Sequence, residues 1–155
     1  LLLTLKLDYK LYPFAVHKAV TEALLNLAKR TENLRPLMKS IAGIFASSTE
    51  ENFKNEGRPE KWTDLADVTK KSREKINKWP GQILTVEGQL ASSVTTQYDN
   101  DSVVIGSNKD YARIHQLGGD AGRGKKVKIP ARPYLHLTDD DFDEILYETE
   151  KYLKD

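Results

Sequence analysis

The residues best suited to chemistry cluster between Tyr111 and Leu137, in the run YARIHQLGGDAGRGKKVKIPARPYLHL. His115 and His136 lie there, with four glycines among the seven residues from Gly118 to Gly124 and the cations Arg123, Lys125, Lys126 and Lys128. A general base at His115 needs a nucleophile or a second acid. The chain has no cysteine, and none of its serines sits in the strained Gly-x-Ser-x-Gly turn that activates a hydroxyl. A metal site would have to bring His115 to His136 by folding, since neither has a partner histidine one helical turn away. Asp139, Asp140 and Asp141 resemble a metal box, but they follow Thr138 where a helix start favours negative charge. GGDAGRGKKVKIP lacks the Gly-x-x-x-x-Gly-Lys-Ser/Thr spacing of a phosphate loop. No catalytic, cofactor-binding or metal-ligating residue is therefore assigned. The simpler expectation is a short helix packed through Tyr111, Ile114 and Leu117, with the His115 ring hydrogen-bonded to backbone and Gly118 and Gly119 ending the helix.

Composition limits the alternatives. A chain of 155 residues suits one domain. Its 24 basic and 23 acidic residues nearly cancel, so contact with nucleic acid would have to be a local patch. The absence of cysteine removes disulfides and thiolate sites and is compatible with a reducing compartment. The opening LLLTLKLDYK is too short to span a bilayer, and it alternates apolar and polar residues as a strand does.

These residues must be positioned by recognisable elements. Val16, Val20, Ala23, Leu24 and Leu27 recur at helical steps from Phe14 to about Leu27. After Pro36, a second helix carries Leu37, Met38, Ile41, Ile44, Phe45 and Ser48 on one stripe, and Gly57 suits its termination. Leu65 to Lys78 reads as a charged, weakly amphipathic helix, with Trp62 a packing anchor for the preceding turn. Val94–Tyr98 and Ser102–Ser107 flank Asp99-Asn100-Asp101 as a hairpin. A last helix begins at a capping box on Thr138 and buries Phe142, Ile145, Leu146, Thr149 and Leu153. The order of elements excludes a doubly wound sheet. It predicts an α+β domain in which long helices pack on a small antiparallel sheet.

Four motifs then stand in order: Gly-x-Pro-x-x-Trp at Gly57–Trp62, Leu-Thr-x-x-Gly-x-Leu at Leu84–Leu90, Tyr-Ala-x-Ile-His-Gln at Tyr111–Gln116 and Ile-Pro-Ala-Arg-Pro-Tyr at Ile129–Tyr134. Together they resemble the phage virion morphogenesis family, the tail-completion proteins of Mu-like and related tailed phages and prophages. The likeness runs from about Leu34 to Leu153 and leaves residues 1–33 weakly diagnostic; Glu60-Lys61 is a shorter form of the family's first loop. It implies a structural subunit without a reaction or cofactor. Such a subunit acts late in tail assembly or head–tail joining, in the host cytoplasm and then in the virion tail or neck. The implied partners are other tail or neck proteins and further copies in a ring, with DNA secondary and no membrane. Trp62, Tyr111, His115, Gln116, Pro130, Arg132 and Pro133 become structural motif residues. Tyr111, Ile114, Pro130, Pro133 and Tyr134 would fix the sheet and the loop flanks, and Arg123, Lys125, Lys126 and Lys128 would reach a partner subunit or a DNA channel. The alternative is a nucleic-acid-binding module using the basic loop 118–128. An enzyme ranks third and requires a pocket in which His115 meets an acid.

Overall fold

The computed structural model describes residues 14–154, so the strand expected at the start of the chain lies outside the described residues. The elements follow in the order α1 (Phe14–Glu32), α2 (Arg35–Lys54), α3 (Asp67–Glu74), α4 (Gln89–Ser92), β1 (Val94–Tyr98), β2 (Val103–Ser107), α5 (Ala112–Leu117), β3 (Gly119–Ala121), β4 (Val127–Ile129) and α6 (Asp139–Lys154). The architecture is α+β, with two separate two-stranded antiparallel sheets instead of the one expected. Contacts divide the chain at the Leu34–Arg35 junction. In the first unit, α1 ends on Lys29 and Arg30, whose charges suit a helix C-terminus. Its Val20, Leu24, Leu25 and Leu27 are exposed.

Two faces of α2 organise the second unit. Pro36 sits in the first turn, where its missing N–H costs least, and the Arg35 N–H donates to Asn100 Oδ1 in the β1–β2 turn at 3.1 Å. Along one face, Leu37 and Ser40 share a cleft of about 100 Å³ with Glu148, Lys151 and Tyr152 of α6. On a second face, Ala46, Thr49 and Phe53 share one of about 230 Å³ with Ala91, Val94 and Thr96. The hairpin runs in register from Val94↔Ser107 to Tyr98↔Val103. Its turn is tied by Asp99, whose Oδ1 accepts the N–H groups of Asp101 and Ser102 at 2.8 and 2.7 Å.

The end of α2 differs in detail from the expectation at Gly57. Glu56 takes the left-handed position (φ 55°) and Gly57 follows at φ 108°. Glu56 N–H donates to Phe53 O and Gly57 N–H to Asn52 O, the paired bonds of a Schellman stop. The Glu56 carboxylate accepts the Ile83 N–H at 2.7 Å, which a glycine at this position could not do. Gly57 is required for closeness, because a Cβ there would lie 2.5 Å from Glu60 O and 2.8 Å from the Trp62 ring. The turn delivers Trp62 to the core, where it joins Phe53, Ile83, Leu90, Ala112 and Tyr134. Phe53 stands edge-on to Trp62 (5.9 Å, 84°) and tilted against Tyr134 (5.2 Å, 30°).

A polar staple lies beside this core. Thr138 and Asp141 form the expected capping box: Thr138 N–H donates to Asp141 Oδ2 at 2.7 Å, and Asp141 N–H returns to Thr138 Oγ1 at 3.4 Å. The same carboxylate accepts from Ser48 Oγ (2.7 Å) and from Arg58 Nη2 (3.2 Å). Asn52, fully buried, donates to Tyr134 O and His136 O, and accepts from Arg58 Nε. Burial would raise the Asp141 pKa, but these donors and the Arg58 charge outweigh it and hold the carboxyl below its ordinary range. The expected apolar stripe on α6 is only half correct. Ile145 and Thr149 are partly covered, whereas Phe142 and Leu146 are 52% and 61% exposed, because Asp141 takes the inward position.

Trp62→Ala is expected to destabilise the second unit by about 3–5 kcal/mol, the usual cost of removing a buried aromatic ring. Urea unfolding reads this directly, and a loss near zero would mean that the ring does not carry the core.

Candidate functional site

The basic run forms a short β-arm. β3 and β4 pair antiparallel through Gly119↔Ile129, Asp120↔Lys128 and Ala121↔Val127. A tight turn over Arg123–Lys125 joins them, and residues 122–128 are all exposed. The four cations thus occupy the tip and one strand of a protruding hairpin, with Asp120 opposite Lys128. Hairpins this short are marginal alone in water, so their order has to come from the root.

Two of the motifs supply that root. The Arg132 N–H donates to His115 O at 2.7 Å, and Gln116 Oε1 accepts the N–H groups of both Tyr134 and Leu135 at 3.0 Å. Gly118 (φ 72°) lies so close to the returning chain that a Cβ would come 2.8 Å from Ala131 N. Arg132 is buried; its Nε and Nη2 donate to Thr63 O and Asp64 O at 3.0 and 3.1 Å. The Trp62 indole N–H reaches Pro133 O at 3.4 Å. Trp62, His115, Gln116, Arg132 and Pro133 are therefore brought together at the arm root, with the partly covered Pro130 beside β4. Tyr111 and Pro133 are exposed, so of the residues expected to fix the loop flanks it is Tyr134, 2% exposed, that carries the packing. Nothing local in the sequence marks Asn52 or Arg58, and the stripe and capping box that include Ser48 and Asp141 give no sign that these two side chains bond to each other.

The expected packing of α5 needs two corrections. Tyr111 and Leu117 are 41% and 64% exposed, and the buried residue is Ala112, because the Tyr134 side chain fills the space under the helix and its hydroxyl reaches Ala112 O. The His115 ring does not bond to backbone through Nδ1, which is buried without a hydrogen-bond partner; its main chain does, the N–H donating to Tyr111 O and the carbonyl accepting from the Arg132 N–H. The ring stands edge-on to Tyr111 at 5.9 Å. Burial, then the nearby Arg132 charge, pushes its pKa below the ordinary histidine value.

His115 and Glu87 line one open cleft of about 360 Å³ together with Arg73 and Tyr111. No serine, threonine or cysteine lines it. His115 Nδ1 has no hydrogen-bond partner, so this nitrogen is not bonded to Glu87. Among the described residues no group of three His, Cys, Asp or Glu side chains could hold a metal ion, and no helix is long and apolar enough to cross a membrane.

A depressed histidine pKa means that the unfolded chain binds more protons below about pH 6.5, so stability is complete above that pH and falls as acid is added. The urea midpoint is expected to drop between pH 7.5 and 5.5 in the parent and to stay nearly level in His115→Asn. An equal drop in both would remove His115 as the cause.

Comparison with known proteins agrees with this frame. No solved structure matches the chain. It is 42% identical over 135 residues to the Mu-like prophage FluMu G protein 2 of Haemophilus influenzae, covering 87% of this chain and 89% of that one. It is 38% identical over 107 residues to the putative capsid assembly protein G of Escherichia phage Mu, covering 66% of this chain and 69% of the relative. A second Haemophilus influenzae relative, FluMu G protein 1, is 34% identical over 115 residues, covering 72% and 73%. The family match spans residues 15–154, so it takes in α1 and extends well before Leu34, where the motifs gave little signal. With the family match over residues 15–154 and a relative 42% identical over 87% of this chain, the chain belongs to the phage virion morphogenesis family.

Proposed function

We propose that this chain is a structural subunit of tail completion or head–tail joining, one that associates with further copies in a ring and with other tail or neck proteins. The observation that carries the reading is the arm: an exposed, cationic hairpin whose root is locked into the core by Arg132, Gln116 and Gly118. A projection held this firmly loses little freedom on docking, which favours protein association. Membership of a virion morphogenesis family supports the same reading. The subunit would act in the host cytoplasm and then reside in the virion. The four cations also suit a phosphate backbone, so a nucleic-acid grip is the second reading.

Changing Arg123, Lys125, Lys126 and Lys128 together to Ser separates the two. All four are exposed, so the fold is expected to survive. If the arm docks on protein, the variant loses self-association in sedimentation and fails to support particle production, while the parent binds duplex DNA only weakly at physiological salt. If it grips DNA, the parent shows a log–log salt slope of up to about four that the variant loses while keeping its oligomeric state. The first pattern is expected, and the second would overturn the assembly reading.

A further inference from the structure

One flank of α6, between its covered line and its polar outer face, is apolar and exposed. Phe142, Leu146 and Leu153 fall on one stripe and are 52%, 61% and 37% exposed. Helical spacing sets Asp139, Asp143 and Glu150 along one margin of that stripe. The arm has the converse surface. An open cleft of about 440 Å³ lies at its root among Leu117, Gly119, Ile129, Pro130 and Ala131, with Lys128 in its wall. Leu117 and Val127 beside it are 64% and 53% exposed.

We propose that the exposed apolar flank of α6 on one copy of this chain receives the arm root of another copy. Phe142 enters the apolar cleft, and Lys126 and Lys128 come to face Asp139 and Asp143. The argument for a second copy is complementarity: an apolar ridge with an acidic margin and an apolar cleft with a basic wall occur on one chain whose net charge is only +1. A contact between two different patches is heterologous, and repeated head to tail it closes into a ring when the rotation divides a full turn. The inference deepens the assembly reading and rests on it.

Two charge reversals test the pairing: an arm variant, Lys126→Glu with Lys128→Glu, and a face variant, Asp139→Lys with Asp143→Lys. Neither touches the Thr138–Asp141 box, and thermal unfolding confirms that both fold. Each alone is expected to weaken self-association at least about tenfold, because like charges then face each other across the contact. An equimolar mixture is expected to recover the parent's association, since each arm finds an opposite face on the other variant. Association of either variant at the parent's level, or a mixture that stays dissociated, overturns the pairing while leaving the assembly reading intact. A parent that stays monomeric throughout the micromolar range overturns both.

Discussion

Asp141 is the carboxylate on which three separate stretches of chain converge. It caps α6 through Thr138, receives the Ser48 hydroxyl from the middle of α2, and faces the Arg58 guanidinium from the turn that carries Trp62. Such a pair gains little net stability over apolar packing, because desolvation offsets the attraction. Its effect is to fix register. Ser48 and Asn52 stand one helical turn apart and hold the segment 134–138 by its carbonyls, so α6, α2 and the return strand of the arm can meet in one arrangement. The aromatic group of Phe53, Trp62 and Tyr134 packs beside this staple and supplies the apolar burial that the staple does not.

That arrangement explains why the motifs around the arm take the form they do. Gln116 satisfies two consecutive backbone donors that a chain turning away from a short helix would leave unpaired. Arg132 spans from the arm root to the carbonyls of Thr63 and Asp64 just beyond Trp62, where an always-charged planar donor suits two acceptors in sequence. The histidine at the centre of the run is neutral packing, with its ring against Tyr111 and its carbonyl closing the root. The run that drew attention as a candidate for chemistry forms the root of a projecting hairpin.

Much of this was legible in the residues. The period of α2, the Asp99 turn, the Thr138 box and the glycine stop after Leu117 are local signals, and each element formed close to where its pattern placed it. The failures are tertiary. The stripe expected on α6 spans two adjacent lines, one with Ile145 and Thr149 and one with Phe142, Leu146 and Leu153, and periodicity cannot say which a neighbour covers; the buried Asp141 carboxylate decided it. Ser48 falls on the apolar stripe of α2 and Asn52 carries no local signal, and neither reveals its hydrogen bonds because those partners lie more than eighty residues away. The arm's cations were visible as candidates from their exposure-prone setting, but its pairing was not, since Gly-rich three-residue strands carry almost no alternation.

The most direct measurement places a photo-activated cross-linking residue at Val127, the exposed first residue of the arm's return strand, and maps its adducts in assembled oligomers by mass spectrometry. The account predicts a link to a second copy of this chain, within the α6 peptide from Asp139 to Lys154. Adducts to DNA alone, or a Val127 that stays unlinked in fully assembled oligomers, would contradict it.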